Sequence, residues 1–239
     1  MENKVVVKKR CYMCKRKATS REHVPPKCFF PQREDSLSGQ DHRKNLIRVP
    51  SCEFHNNKKS KDDEYLLFVI TSTYQSNAEG QNLFSKKIDE IIEENHEYFL
   101  KTFFGEPENV IVYGQDTFTF RLNSKRFDTA LKYMANAIYF NHFKTKWNEA
   151  LEIFAPSARY SSEIPNYYSG NIQLARLEQL DAGAQRHGEN QDIFFYQFID
   201  NTSPEHRLLR MVFYQGFVIF AYPLKRRRDL MRKRVSHHS

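Results

Sequence analysis

Two pairs of metal-ligating side chains lie near the start of the sequence: Cys11-x-x-Cys14 in "CYMC" and Cys52-x-x-His55 in "SCEFH". Each pair sits on a two-residue knuckle, so two sulfurs from one turn and a sulfur and an imidazole from another can surround one ion tetrahedrally, a donor set that suits zinc. With four protein ligands there is no open position for water, and such an ion braces the chain rather than reacting. It would pin the ends of the 37-residue stretch between Cys14 and Cys52, which is too polar to fold alone. The remaining cysteine, Cys28, directly precedes Phe29 and Phe30 and reads as a small buried thiol, not a ligand. All four cysteines fall within the first 52 residues, and in a reducing compartment that clustering favours metal over disulfides.

The brace would hold a second set of groups. Between the knuckles stands Glu22-His23-Val24-Pro25-Pro26, and after the second knuckle come Asn56 and, four residues on, Ser60. A helix starting near Cys52 puts Asn56 and Ser60 on one face, and the zinc draws the chain carrying Glu22 and His23 against that face. Glu22 and Asn56 then offer hard oxygen ligands to Mg²⁺ or Mn²⁺ beside an imidazole. That combination fits phosphodiester hydrolysis. An imidazole with an ordinary pKa of about 6.5 is a suitable base for water, and a divalent cation stabilises charge on the reacting phosphorus and the leaving oxygen. Lys58, Lys59 and Lys61 could grip neighbouring phosphates, although the same pattern also suits a solvated helix face. A rival acid–His dipeptide, Asp41-His42, lacks the stiff Val-Pro-Pro continuation and lies in a turn-rich stretch, "SLSGQDHRKN", so Glu22-His23 is the preferred pair.

The segments "CYMC", "REHVPPK", "KNL" and "VPSCEFHNNKKS", spanning about residues 10 to 63, resemble the HNH, or ββα-metal, endonucleases, in the subgroup braced by a Cys-x-x-Cys zinc. The resemblance implies a DNA endonuclease in which His23 is the general base, Glu22 the acidic metal ligand before it and Asn56 the last metal ligand. It further implies that Asn45 steadies the loop and the base. His55 stands where many members have a fourth cysteine, and the interval from Asn45 to Asn56 is a little longer than usual. Modules of this kind occur in phage-defence systems, toxins and mobile elements. The alternative is a catalytically silent, zinc-braced module that binds nucleic acid or protein, with "EHVPP" serving only as a turn.

The elements that must position these groups follow from pattern and charge. Residues 1–61 carry 16 Lys/Arg against 6 Asp/Glu, residues 62–224 carry 14 against 22, and residues 225–239 carry 7 against 1. A basic head and tail flank an acidic middle, so a polyanion would meet the ends. The tail run "KRRRDLMRKR", including Arg226, Arg227 and Arg228, either lies along phosphates or is a solvated end. The expected organisation is α+β: an HNH module with structural zinc over 1–62, a mixed helix and antiparallel-strand domain over 63–224, and a basic tail over 225–239.

In the middle region, "SKDD" suggests a capping box opening a helix unless that helix begins upstream. A second helix is expected from Gly80 to Phe103 and a third from Ser124 to about Phe154, with His142 on its apolar stripe as a core or packing histidine. "NVIVYGQDTFTFRL" reads as a hairpin. "DIFFYQFI" and "LLRMVFYQGFVIFAY" read as strands, the latter folding back at Gln215-Gly216. This acidic middle could bind a protein partner, self-associate or simply complete the core. Apolar runs such as "YLLFVI" are too short to span a bilayer, and a cytoplasmic protein with no membrane partner is expected.

Overall fold

The computed structural model describes residues 10–57, 60–73, 75–93, 108–112, 115–119, 122–158, 184–199 and 203–224. The chain is α+β. Strand β1 (Ser20–His23) pairs antiparallel with β2 (Arg48–Ser51), placing Glu22 opposite Val49 and His23 opposite Arg48. A short helix, α1 (Glu53–Asn57), starts immediately after Cys52 and lies against β1. The second knuckle therefore closes the hairpin and opens the helix, since the N–H groups of His55 and Asn56 both donate to the Cys52 carbonyl.

Helix α2 (Ser60–Thr71) buries Tyr65, Leu66, Leu67 and Ile70 and packs on α3 (Ala78–Glu93), where the rings of Phe68 and Phe84 meet at 5.1 Å. The part of the expected second helix beyond Glu93 lies outside the described residues. Strands β3 (Glu108–Val112) and β4 (Gln115–Thr119) form the expected hairpin. Helix α4 (Ser124–Phe143) is capped by Asn123, whose side chain accepts from the N–H of Arg126 at 3.0 Å, a bond of the kind that stabilises a helix by about 1 kcal/mol. Phe127, Leu131, Met134, Ala135, Ile138 and Tyr139 bury its long apolar face.

The third helix is shorter than the periodicity predicts. It stops at Phe143 because Lys144 turns left-handed (φ 57°) and returns its N–H to the Phe140 carbonyl. Residues Leu151–Phe154 form β5, whose place is set by pairing with a strand some seventy residues later in the chain. With β6 (Phe194–Ile199), β7 (Leu208–Phe213) and β8 (Phe217–Pro223) it builds an antiparallel sheet in the order β5-β8-β7-β6.

The β7–β8 turn is where the sheet meets the head. Tyr214 and Gln215 both have positive φ, the conformation a tight hairpin turn requires. Gly216 follows with the Gln75 carbonyl so near that a Cβ would stand 1.8 Å from its oxygen, which excludes any side chain there. The fully buried Tyr214 donates its hydroxyl to the Phe29 carbonyl at 2.6 Å and accepts from the N–H of Asn77 at 2.8 Å. Cys11, Tyr12, Val24, Phe29 and Val49 thus share one hydrophobic core with α2, α4 and the sheet. None of the described helices is long and apolar enough to cross a membrane.

Candidate metal centre and active site

The structure brings Cys11, Cys14, Cys52 and His55 together, with their ligand atoms all within 4.8 Å of one another. Cys14 Sγ lies 3.8 Å from Cys52 Sγ, Cys52 Sγ lies 3.3 Å from His55 Nδ1, and Cys11 Sγ lies 3.5 Å from the same nitrogen. Sulfurs held about 2.3 Å from one tetrahedral ion stand about 3.8 Å apart, so the spacing fits four donors on a single metal. Burial alone raises the Cys11 thiol, but backbone N–H groups at Met13, Cys14 and Cys52 bring it below its ordinary value, toward the thiolate that metals bind. Cys14 moves the other way, through burial and through Cys52 and Cys11, and a cation among the four would reverse that direction.

Local structure makes the site stiff. The Cys11 N–H donates to the Arg16 carbonyl at 2.9 Å, the Tyr12 N–H to Pro50 at 2.8 Å and the Thr19 N–H to Ser51 at 2.9 Å, lacing the first knuckle to β2. The Lys146 ammonium bonds the Cys14 carbonyl, tying the knuckle to the segment after α4. Tyr133 on α4 stands against the His55 ring at 5.7 Å between centroids. Cys28 stays outside the cluster; packed against the core, its thiol is pushed up to about 12, chiefly by burial and next by Asp63.

No family model, curated protein or solved structure matches this chain. What the site can do therefore rests on its own geometry.

Glu22 and His23, adjacent on β1, sit in different surroundings. Glu22 is buried, and its Oε1 accepts from the Tyr12 hydroxyl at 3.3 Å. Burial, then the Glu22 charge, hold that phenol far above its ordinary pKa, so it remains a donor. Tyr12 gave no signal in the sequence, where it reads as filler between two ligands. His23 is half-buried and its Nε2 accepts from Arg48 Nε at 2.9 Å across the hairpin. The neutral ring then carries its proton on Nδ1. Burial, Arg48 and Lys27 together lower the His23 pKa, keeping the imidazole neutral. Arg48 too was missed, because its partnership with His23 depends on a register set across 25 residues.

Asn56 lies on α1, and its side-chain amide makes no hydrogen bond with the described residues. Asn45 is exposed and left-handed (φ 53°), a conformation asparagine tolerates better than most residues; no hydrogen bond joins its side chain to His23 among the described residues. Lys61 begins the second residue of α2, while Lys58, Lys59, Arg226, Arg227 and Arg228 lie outside the described residues. The rival His42 is 95% buried: its Nε2 meets Ser36 Oγ at 3.1 Å and Ser38 Oγ at 3.4 Å, and Ser36 in turn donates to Glu79 Oε1 at 2.7 Å. These bonds clamp the 36–42 loop to α3. His142 packs against Phe143, Phe198 and His187, with the Tyr196 hydroxyl 3.3 Å from its Nδ1.

Proposed function

We propose that this chain is a metal-dependent endonuclease of the HNH type that hydrolyses DNA phosphodiester bonds, with the Cys3His cluster holding a structural zinc. The observation that carries the reading is the order of elements around the four donors: a two-stranded hairpin whose first strand ends in Glu22-His23 and whose second runs through Cys52 into the helix bearing Asn56. Glu22 and Asn56 would hold Mg²⁺ or Mn²⁺, which when bound supplies charge stabilisation for the phosphorus and the leaving oxygen. The Tyr12 hydroxyl donates to the Glu22 carboxylate and would hold its orientation. His23, neutral because of burial and its cationic neighbours, takes a proton from the attacking water. Its lone pair at Nε2 faces Arg48, so the guanidinium must swing away first, and a substrate phosphate is the partner that would draw it off.

The test is incubation of purified protein with plasmid DNA and Mg²⁺ or Mn²⁺, alongside Glu22→Ala, His23→Ala and Asn56→Ala. Nicking that requires the cation and all three side chains supports the proposal. The burial of Glu22 and the occupied His23 Nε2 favour a second reading, a silent zinc-braced binding module. Tight nucleic-acid binding with no nicking under any divalent cation would establish that one instead.

A further inference from the structure

Beside the metal cluster, at the end of the β1–β2 hairpin away from His23, lies a concavity of about 390 Å³ lined by Arg16, Lys17, Thr19, Cys52, Glu53 and Phe54. Phe54 is an anomaly by composition. It is a large apolar side chain, 43% exposed, on the first turn of a helix in the basic head. The Arg16 guanidinium stands over its ring, 5.0 Å from the centroid, and the His55 ring meets it edge-on at 5.1 Å. Among the described residues, neither Arg16 nor Lys17 forms an ion pair, although Glu53 shares the rim. The backbone beneath them is fixed: Arg16 accepts from the Cys11 N–H and Lys17 bridges to Arg10.

We propose that this concavity is a binding site for single-stranded polynucleotide, in which one unstacked base takes the place of the Arg16 guanidinium over Phe54 and its flanking phosphates meet the displaced Arg16 and Lys17. An aromatic face between cations is the arrangement that single-strand binding uses, since every base has a π-face and every linkage a charge. A duplex cannot offer the ring an unstacked base, which sets the preference for a single strand. The concavity lies about 13 Å from His23 along β1, about four nucleotides of a stacked strand, so one bound strand can reach both. The inference rests on the nucleic-acid reading of the head, but it concerns binding and not cleavage.

The test is fluorescence anisotropy of the zinc-loaded full chain, without added Mg²⁺ or Mn²⁺, using labelled oligo-dT, oligo-U and a short duplex. The expected result is tighter binding of either single strand than of duplex, roughly tenfold or more lost in both Phe54→Ala and Phe54→Leu, and retention in Phe54→Tyr. Phe54→Leu keeps apolar bulk and separates loss of the ring from loss of the fold; zinc content and melting temperature provide the check. Arg16→Gln with Lys17→Gln should reduce the salt slope by up to about 1.4. If Phe54→Leu binds single strands as the wild type does, or if an acidic peptide binds and oligonucleotides do not, the proposal is overturned. Plasmid nicking that persists alongside Phe54-independent binding would remove this site alone, whereas failure to bind any nucleic acid would remove the nuclease reading with it.

Discussion

His23 and His42 each follow an acidic residue, yet their surroundings give them different work. His42 is buried and bonded to two serines that clamp a loop to α3, so His42→Ala should lower the melting temperature, at a cost of about 1–3 kcal/mol for the orphaned partners. His23→Ala should leave zinc content and melting temperature unchanged while reducing nicking by about 10²–10⁴-fold, the usual contribution of a general base. A dead His42→Ala beside an active His23→Ala would reverse the assignment. The pH profile checks the same residue. A base must be neutral, so activity should be present above the His23 pKa and fall as pH drops through it. Burial first, then Arg48 and Lys27, put that limb below about 6.5. Arg48→Ala removes one of these causes, and the limb should shift upward toward 6.5; an unmoved limb would mean that His23 is not the titrating group. At this scale the clustering of Cys11, Cys14, Cys52 and His55 was legible, because side-chain type and spacing define a candidate tetrahedral site without further context. Tyr12 and Arg48 were not, since each acts through a partner fixed only by folding.

The knuckle Cys52-x-x-His55 is at once the end of β2 and the start of α1, so neighbouring residues on one short helix should serve different ions. His55→Ala should lower zinc content and melting temperature, whereas His55→Cys should restore both, because a thiolate is an equally good zinc ligand. Asn56→Ala should keep zinc and stability and lose Mg²⁺-dependent nicking. Metal analysis of the three variants decides the matter, and an Asn56→Ala protein that sheds zinc would contradict separate sites. The hairpins and late strands were readable from alternation and turn residues, and the fold-back at Gln215-Gly216 lies where the positive-φ turn falls. The stretch from Lys144 to Phe154 misled because "WNEALEIF" carries helix-compatible spacing, while its strand partner β8 is distant in sequence. Local propensity had no means of registering that partner.

Among the described residues, one apolar core joins the head to the sheet, with Tyr214 bonding to both Phe29 and Asn77, so the acidic middle is the platform on which the basic head is mounted. Charge is divided differently from the core. The head carries 16 cations against 6 acids and the last fifteen residues carry 7 against 1, while the platform between them carries an excess of acids. A polyanion would be repelled by the middle and attracted to the ends, so on the nuclease reading the tail would be a second, sequence-independent grip on DNA. Each phosphate that the tail neutralises releases condensed counterions and should add about 0.9 to the steepness of log affinity against log salt on a duplex. Truncation after Leu224 should weaken duplex binding most at low salt and flatten that slope, with zinc content and the nicking rate at saturating DNA unchanged. Isotherms for the two proteins across a salt series check this, and superimposable slopes would mean that the tail makes no contact with DNA.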